Sequence, residues 1–469
     1  MNPVEWIATY VQRARKAQTI VNEYTQEQID AVCVAVGWEV YSDDNIRQLA
    51  KKAVLDTGMG NEADKFTKHK NKVLGVLKDL KGAKSVGLIE TDPVKKIRKY
   101  AKPVGVVGAL TPVTNPTATP ASNAITILKG RNAVIFAPHP KAKASSKMAV
   151  DFMREGLRKI GAPLDLIQII EEPSLELTAE LMRQVDVVLA TGGGPMVKAA
   201  YSSGTPAYGV GPGNAVSIVA EDAKVEDAAK KIFTSKSFDF ATSCSSENSI
   251  IVHDSIYDAL IRELIRLGSV LVVEDRAKLE AHMWPINTKG YRSLNPNIIA
   301  QSAAKIALDA GIVVPHGTQV LLVEGAIDLE HDLFSQEKIS PVLTVFRYRE
   351  FEAGFQLLVR LTDHCGTGHS CGIHTFTDAY VERLGTFMKS SRIMVNQPQA
   401  AGNGGAFFNG MPSTVSLGCG SWGGNITTEN IHYKHFLNVT WVSEYFEPNR
   451  PADEEIFGEY WRGIHHEAI

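Results

Sequence analysis

Cys244 lies in the segment FDFATSCSSENSIIV, residues 238 to 252, among small hydroxylated residues and three positions before Glu247. A cysteine thiolate can attack a carbonyl carbon and form a covalent intermediate, so this residue is a candidate nucleophile. A free cysteine also packs well as a small buried side chain, and on this segment alone that is the simpler interpretation. The choice depends on what the rest of the chain can bring to the same place.

Asn115 lies between a threonine and a proline in TPVTNPTATP, directly after the apolar run at residues 104–110. The run predicts a buried strand. An asparagine amide at the carboxyl end of such a strand can donate a hydrogen bond to a developing oxyanion. An Asn-Pro turn without a chemical role is the simpler interpretation, and both stay open on this segment alone.

Three glycines, residues 192–194, separate an apolar run from a predicted helix in VDVVLATGGGPMVKAAYSSG. Pro195 suits the first turn of that helix. A turn of this kind lets backbone N–H groups approach a phosphate at the positive end of the helix. The spacing differs from GxGxxG, so a tight turn that serves only the fold is an equal alternative. A second glycine-bearing segment, YGVGPGN, follows within one helix length.

Taken together, these segments resemble the CoA-acylating branch of the aldehyde dehydrogenase superfamily, over essentially the whole chain. LGCGSWGGN and the pattern SSGxPAxGVGxGN are typical of acylating members and not of hydrolytic ones. ATSCSSENS, NPVEW and GMGNEADK are most similar to the subgroup that acts on sulfoacetaldehyde. The alternative substrates are acetaldehyde, propionaldehyde and succinate semialdehyde. The other segments that carry the resemblance are TPVTNPTATP, ATGGGPMVKAAYSSGTPAYGVGPGN, SQEKISPVL and GTGHS.

The resemblance implies a thiolate nucleophile at Cys244. The oxyanion of its thiohemiacetal would be held by the Asn115 amide and by the Cys244 backbone N–H. Hydride transfer to NAD or NADP would leave an acyl thioester on the enzyme, and coenzyme A would accept the acyl group. Val210, in YGVGPGN, lies nearest the place where hydrolytic members carry a general-base glutamate, which favours CoA over water as the acceptor. Glu247 matches a different family position, and no metal is expected.

The resemblance also implies a site for the dinucleotide. Glu337, in SQEKISPVL, falls where the family has a glutamate on the nicotinamide ribose. His139, in AVIFAPHPKAK, is expected at the adenosine, where hydrolytic members use a nearby lysine. Lys141 and Lys143 could meet a 2′-phosphate, so the choice between NAD and NADP stays open. The expected cofactor-binding residues are Thr111, Pro112, His139, Thr191, Gly192, Gly193, Gly211 and Glu337.

Three further residues are candidates for the substrate side of the site. Ser245 and Ser246 flank the nucleophile and could donate to a sulfonate, because a buried anion needs donors in place of its hydration. Backbone amides of the AAGNGGAFF segment could add to them. The alternative is that these small residues only let the chain pack closely around a narrow aldehyde tunnel. His369, in GTGHS, matches a histidine of the acylating branch, and it is either catalytic or a buried structural residue.

Composition limits the partners and the location of the protein. The chain has 469 residues, of which 44% are apolar and 22% charged, with a formal net charge of −3. This balance disfavours nucleic-acid and membrane partners. No apolar run reaches the roughly 18 to 20 residues of a membrane span, and the N-terminus lacks the pattern of a signal peptide. We therefore expect a cytoplasmic protein, with the interior of a bacterial microcompartment as an alternative. The five cysteines form neither a disulfide framework nor a metal-binding spacing.

Apolar runs alternate with helical patterns, which predicts right-handed βαβ units and an α/β protein of aldehyde dehydrogenase type. We expect a cofactor-binding domain in residues 1–225 with 426–469 and a catalytic domain in 226–425, each with a parallel sheet. A hairpin at residues 85–100 and the last strand, in HFLNVTWVSEYF, are expected to form a β oligomerisation element, and hence a homodimer or homotetramer. The helix predicted from residue 3 is either the first helix of a domain, which is favoured, or an address for a protein shell.

Overall fold

The computed structural model of the protein describes residues 2–326, 328–329 and 331–463, and its N-terminal part consists of four helices. Asn2 and Thr25 each cap a helix by accepting a backbone N–H from its first turn, and Asn61 does the same for a third. Such caps satisfy N–H groups that have no partner inside a helix. The helices are α1 (Pro3–Val21), α2 (Gln26–Glu39), α3 (Asp43–Thr57) and α4 (Glu62–Leu80).

The apolar face of α1 lies inside the protein. Ile7, Val11 and Ala14 are buried in the same hydrophobic core as the strands of the first parallel sheet. A helix whose apolar face is already covered fits the first helix of a domain better than a free address for a shell. The described helices include none that is both long enough and apolar enough to span a membrane.

An antiparallel hairpin and a five-stranded parallel sheet follow the four helices. The strands of the sheet lie in the order β5-β4-β3-β6-β7, and every residue of its two strands Val106–Thr111 and Ala133–Pro138 is buried. Full burial is expected for parallel strands that helices cover on both faces. The elements are β1 (Gly87–Asp92), β2 (Ile97–Pro103), β3 (Val106–Thr111), α5 (Ala118–Lys129), β4 (Ala133–Pro138), α6 (Lys143–Lys159), β5 (Ile167–Ile169), α7 (Leu175–Gln184), β6 (Val187–Thr191), α8 (Gly194–Tyr201) and β7 (Ala207–Val210).

A second parallel sheet has seven strands in the order β10-β11-β12-β9-β8-β13-β14. Its core consists of three clusters of buried apolar residues on its two faces and beside its first strands. The elements are β8 (Val216–Val219), α9 (Val225–Ser237), β9 (Ser249–His253), α10 (Asp254–Arg266), β10 (Ser269–Leu271), α11 (Arg276–Met283), α12 (Ala303–Asp309), β11 (Val320–Glu324), β12 (Val342–Tyr348), α13 (Phe351–His364), β13 (Cys371–His374), α14 (Asp378–Phe387), β14 (Ile393–Val395) and α15 (Gln399–Gly402).

The strand β8 differs from its predicted place. It pairs with β9 and β13 of the seven-stranded sheet, although a domain boundary at residue 225 would assign it to the first domain. The physical reason is that AVSIVA is a buried apolar run like those of the first sheet, and only strand pairing decides which sheet it joins. The division into domains at residues 225 and 425 stays a prediction.

A small antiparallel sheet joins the hairpin of β1 and β2 to a strand from the C-terminal part of the chain. β15 (Leu437–Ser443) pairs with β2, which gives the order β1-β2-β15, and α16 (Asp453–Phe457) follows. Val439 and Trp441 of β15 are 41% and 60% exposed, respectively. The hairpin and the last strand therefore form the additional β element that the sequence predicts, with apolar side chains on its surface.

Candidate active site

Cys244 lies in the loop between α9 and β9, which we call the nucleophile loop (residues 238–248). The segment after β7 passes so close to it that a Cβ on Gly213 would lie 2.7 Å from the Cys244 carbonyl oxygen. Only glycine allows such an approach of two backbones. The Cys244 side chain is half-buried. Gly213 thus lets the connection between the two parallel sheets pack against the candidate nucleophile.

His369 contacts the thiol directly. Its Nε2 lies 3.1 Å from Cys244 Sγ, and its Nδ1 lies 2.9 Å from Ser370 Oγ. When Nδ1 carries the proton and donates it to the serine, Nε2 is free to accept a proton from the thiol. The structure therefore brings together two residues that the sequence separates by 125 positions, in a geometry suited to proton transfer.

Both members of this pair are uncharged near neutral pH. Burial raises the pKa of the Cys244 thiol to about 12, although Arg392 acts in the opposite direction. Burial, with Arg392, lowers the pKa of His369 to about 3. A neutral imidazole beside a neutral thiol can take the thiol proton as sulfur attacks an electrophile.

Arg392 is a residue of this site that the sequence did not reveal. Its guanidinium is buried and donates to the backbone oxygens of His369, at 2.9 Å, and Gly418, at 2.6 Å. Within the described part of the chain, no carboxylate forms an ion pair with it. The cation therefore ties the histidine to the LGCGSWGGN segment and leaves a positive charge near the thiol. Its segment, SRIMVNQ, predicts only a strand, so no local signal identifies it.

Asn115 follows β3 and is half-buried. Its side-chain Oδ1 accepts a hydrogen bond of 2.8 Å from Lys68 Nζ of α4. The same ammonium donates to Thr242 Oγ1, in the nucleophile loop, at 2.7 Å. With Oδ1 engaged, the remaining polar group of the amide is its Nδ2 donor, the group that an oxyanion requires.

Most of the predicted cofactor residues lie at one edge of the five-stranded sheet. Thr111, His139, Thr191 and Gly211 end or follow β3, β4, β6 and β7, respectively, and Pro112 comes next after Thr111; we call this the cofactor edge. The carboxyl ends of parallel strands are the usual place for a dinucleotide. His139 accepts the Lys141 backbone N–H at its Nδ1, and Thr191 Oγ1 lies 3.0 Å from Ser416 Oγ.

The residues present fit a dinucleotide. The turn between β6 and α8 is open, because a Cβ on Gly192 or Gly193 would meet no atom closer than 3.8 Å. Two buried oxygens have no hydrogen-bond partner: Thr111 Oγ1, at the end of β3, and Glu337 Oε1, on a side chain beside the Gly213 backbone. Buried polar atoms are rarely left unpaired, so both oxygens are available to a polar ligand. Burial raises the pKa of Glu337 to about 8.

The two serines beside the nucleophile bond within the protein. Ser245 Oγ lies 2.9 Å from Ser243 Oγ, and Ser246 Oγ donates to the Ser235 carbonyl at 3.1 Å. Both residues are buried. Their hydroxyl oxygens can still accept, but the Ser246 proton is already used, so less donor capacity is left for a sulfonate than the sequence suggests.

Three further features bear on the chemistry: the side chain of Val210, the carboxylate of Glu247 and one cluster of side chains that could hold a metal ion. Val210, which the family resemblance places nearest the hydrolytic general base, is buried and apolar. Glu247 is buried and accepts from the Gln399 backbone N–H. Among the described residues one group has the ligand spacing of a metal site. The group consists of Glu429, His432 and His435. The Glu429 carboxylate already pairs with Lys434, at 2.6 Å, and with His435, at 3.2 Å.

The chain is similar to known proteins over nearly its whole length. The aldehyde dehydrogenase family matches residues 5–433. A sulfoacetaldehyde dehydrogenase of Acholeplasma sp is 75% identical over 458 residues, which cover 98% of this chain and 95% of that protein. A sulfoacetaldehyde dehydrogenase (acylating) of Bilophila wadsworthia (strain 3_1_6) is 58% identical over 457 residues, which cover 97% and 98%. The crystal structure of an acetylating aldehyde dehydrogenase from Geobacillus thermoglucosidasius superposes with a TM-score of 0.91 at 34% identity, and covers 96% of this chain and 98% of that one.

The comparisons confirm the predicted α/β fold of aldehyde dehydrogenase type and the predicted class, an oxidoreductase that acts on aldehydes. Two solved structures that are 27% and 26% identical hold NADP+ and propionyl-CoA, respectively, in line with the predicted cofactor and co-substrate. The chain belongs to the aldehyde dehydrogenase family.

Proposed function

We propose that the protein oxidises sulfoacetaldehyde with NAD(P)+ and CoA to sulfoacetyl-CoA, in a reversible reaction. The observation that carries the proposal is the 3.1 Å contact between Cys244 Sγ and His369 Nε2. A thiol with a neighbouring base forms an acyl thioester. Val210, buried and apolar, stands where hydrolytic members have an acid that activates water, so the thioester is left for the thiol of CoA.

The first half of the reaction makes the acyl-enzyme. His369 Nε2 accepts the thiol proton while Cys244 sulfur bonds to the aldehyde carbon and the carbonyl electron pair moves to oxygen. Asn115 Nδ2 and the Cys244 backbone N–H donate to this oxyanion. Bound NAD(P)+ supplies the acceptor for the hydride that leaves the same carbon. As the hydride leaves, the oxygen electron pair restores the carbonyl, and Cys244 carries a thioester.

The second half transfers the acyl group. His369, after its first proton has passed to solvent, accepts the proton of the CoA thiol. The CoA sulfur bonds to the acyl carbon and Cys244 sulfur leaves as the thiolate, which regains a proton. One aldehyde, one CoA and one NAD(P)+ thus give one acyl-CoA, one NAD(P)H and one proton.

The cofactor edge is assigned to the dinucleotide. Thr191, Gly192 and Gly193 would hold the pyrophosphate at the start of α8, and Glu337 would accept from the nicotinamide ribose. Pro112 and Gly211 shape the cleft without a side-chain donor. Lys141 and Lys143 are the two lysines that could meet the 2′-phosphate of NADP. Lys143 already pairs with Glu172 at 2.5 Å. Initial rates with NAD+ and NADP+ decide the preference.

Sulfoacetaldehyde is the aldehyde that the relatives favour, since two proteins 75% and 58% identical carry that name. A sulfonate keeps its charge at every working pH and needs donors in the pocket. A site built around such donors penalises an analogue that leaves them unpaired. We expect kcat/KM for sulfoacetaldehyde to exceed that for acetaldehyde and propionaldehyde by about 100-fold or more.

A panel of sulfoacetaldehyde, acetaldehyde, propionaldehyde and succinate semialdehyde, each with and without CoA and with both nicotinamides, tests the proposal. Equal or better efficiency with an uncharged aldehyde would overturn the substrate and leave the acylating reaction standing. NAD(P)H production that never depends on CoA would overturn the reaction itself.

The three-stranded antiparallel sheet is assigned to oligomerisation. β1 and β15 are its edges, and free edges with exposed apolar side chains favour pairing with another subunit. A homodimer or homotetramer is therefore proposed, and light scattering after size-exclusion chromatography measures it. A cytoplasmic location is proposed, and residence in a microcompartment stays the alternative.

A further inference from the structure

We propose that Lys68 is a positioning residue, which orients the Asn115 amide toward the reacting carbonyl and ties the oxyanion site to the nucleophile loop. The proposal rests on the function proposed above and adds a residue to it. Lys68 belongs to α4, which contributes none of the residues predicted from the sequence. Its side chain is only 12% exposed.

All three N–H bonds of the Lys68 ammonium have acceptors. They are Asn115 Oδ1 at 2.8 Å, Thr242 Oγ1 at 2.7 Å and Asp239 Oδ2 at 2.5 Å. An ammonium group has three donors and no acceptor, so this set saturates it. No donor is left for a substrate anion, which favours a role in positioning over direct contact with a sulfonate.

The ammonium fixes which way the Asn115 amide faces. If the amide turned over, its NH₂ group would face the ammonium N–H that now donates to Oδ1, and the contact between two donors would become repulsive. The carbonyl oxygen must therefore face Lys68, and Nδ2 must face the other side. An oxyanion needs a donor that is already oriented, because reorientation during the reaction costs part of the stabilisation.

Asp239 holds Lys68 in this position. Its carboxylate is fully buried and also accepts from Lys65 Nζ at 3.2 Å, from the Asn61 backbone N–H at 3.0 Å and from Thr242 Oγ1 at 2.8 Å. A buried carboxylate requires such partners. Because Thr242 precedes Cys244 by two residues, the ammonium and its carboxylate connect α4, the Asn115 segment and the nucleophile loop.

A double-mutant cycle with Lys68→Met and Asn115→Ala tests the proposal. We expect Lys68→Met to lower kcat by about 10- to 100-fold in the wild-type background, a part of the loss for a removed oxyanion donor. If Lys68 acts through Asn115, the same change should cost less than about 3-fold in the Asn115→Ala background, since the pair would then be coupled. Losses that multiply fully in the double mutant would overturn the proposal.

Three further measurements separate positioning from other roles. Lys68→Met should lower kcat equally for sulfoacetaldehyde and propionaldehyde; a loss confined to KM for the sulfonate would instead make Lys68 a substrate contact and contradict the proposal. Lys68→Arg should recover part of kcat. Alkylation of Cys244 by iodoacetamide, which forms no oxyanion, should stay within a few-fold of wild type in Lys68→Met, and a large fall would show damage to the nucleophile loop in place of misorientation of Asn115.

Lys70→Met is the matched control. Lys70 lies on the same helix but pairs with Asp43 and packs over the Tyr41 ring. Its replacement removes the same charge and should leave kcat within 2-fold of wild type; a loss as large as that of Lys68→Met would contradict the proposal. Wild-type oxidation that proceeds without CoA would contradict the proposed function only, because the oxyanion forms in that reaction too and the cycle can still be measured.

Discussion

The cofactor edge and the nucleophile loop are built by opposite means. The cofactor edge consists of strand ends and small residues, and its turn at Gly192 and Gly193 leaves a space that the protein does not fill. The nucleophile loop is held by charged side chains from other elements. Asp239 at its start receives Lys65 and Lys68 of α4, and its backbone N–H donates to Asp64.

The nucleophile loop also differs from the cofactor edge by carrying backbone strain. Asp239, Phe240 and Ala241 have φ angles of 49°, 51° and 57°, all in the left-handed region that favours glycine. Each such residue costs about 1 kcal/mol or more unless its surroundings hold it there. The loop therefore needs its buried ion pairs to keep Cys244 in place. The turn at Gly192 and Gly193 in the cofactor edge is open, so a small side chain there should have little effect on the fold.

Replacing the nucleophile should produce the largest effect. Cys244→Ala is expected to lower aldehyde oxidation by about 10⁴-fold or more, because the covalent step is lost, while nicotinamide binding at the cofactor edge stays within a few-fold of wild type. Stopped-flow kinetics and fluorescence titration measure the two. Cys33→Ala, which removes a buried sulfur of α2, is the control and should keep full activity. Retained turnover in Cys244→Ala would rule out the nucleophile.

Omission of CoA tests whether the active site lacks a base that could activate water. Steady-state NAD(P)H formation should fall by about 100-fold or more without CoA, after a burst near one equivalent per site. Val210 offers no proton acceptor, so the acyl-enzyme waits for a thiol. Quench and mass spectrometry of the intact protein would detect the acyl group. Sustained release of the free acid without CoA would mean that another residue activates water.

Loss of the oxyanion donor should be the next largest effect. Asn115→Ala is expected to lower kcat by about 100-fold or more, equivalent to roughly 2.7 to 4 kcal/mol. The KM for the nicotinamide should change little, because Asn115 is proposed to serve the reacting carbonyl and is not among the predicted cofactor-binding residues. A kcat within a few-fold of wild type would reduce Asn115 to a turn residue.

A substitution at the cofactor edge should separate binding from stability. Gly192→Ala is expected to raise the Kd for the dinucleotide by about 10-fold, since a Cβ blocks the approach of a phosphate to the backbone N–H groups. Tm should stay within about 1 °C, because the new Cβ meets only Met196 at 3.8 Å. Asp239→Asn, the matched change in the other region, should lower Tm clearly. Equal shifts in Tm for the two variants would contradict the claim that the nucleophile loop depends more on its side-chain contacts than the cofactor edge does.

The last expected effect is on stability and not on activity, and it is a pH dependence at His369. Its pKa is about 3 in the folded protein, below the ordinary 6.5, so only the unfolded chain takes up a proton between these values. The stability that this histidine contributes is full above pH 6.5 and is lost as pH falls toward 3. In that window, the free energy of unfolding of the wild type, measured with urea, should fall by up to ~1.4 kcal/mol for each unit that the pH is lowered, relative to His369→Gln. Parallel pH profiles would show that His369 is not held neutral.

The local segments of the site could be located in the sequence because each has a pattern of its own, whereas their roles followed only from the resemblance to a family. Cys244 in ATSCSSENS, Asn115 after a buried strand and the glycines after VVLA are each marked by a few neighbouring residues, and the structure describes them at the ends of β3 and β6 and before β9. The two parallel sheets and the antiparallel element follow from the alternation of apolar runs with helical patterns. Short-range patterns of residues determine these features, so they can be recognised in a single sequence.

Tertiary structure alone decided how these parts meet. Lys68 reaches Asn115 across 47 positions and Thr242 across 174, and His369 reaches Cys244 across 125. Lys65, Lys68 and Lys72 occupy one helical face, a pattern that ordinarily indicates a solvated surface. The packing of α4 against the nucleophile loop gives Lys65 and Lys68 their partners, and the backbone carbonyls of Gly404 and Gly405 accept from Lys72. The membership of β8 in the second sheet was decided in the same way. Strand pairing joins segments that are distant in the chain, and the local sequence of a strand does not indicate its partner.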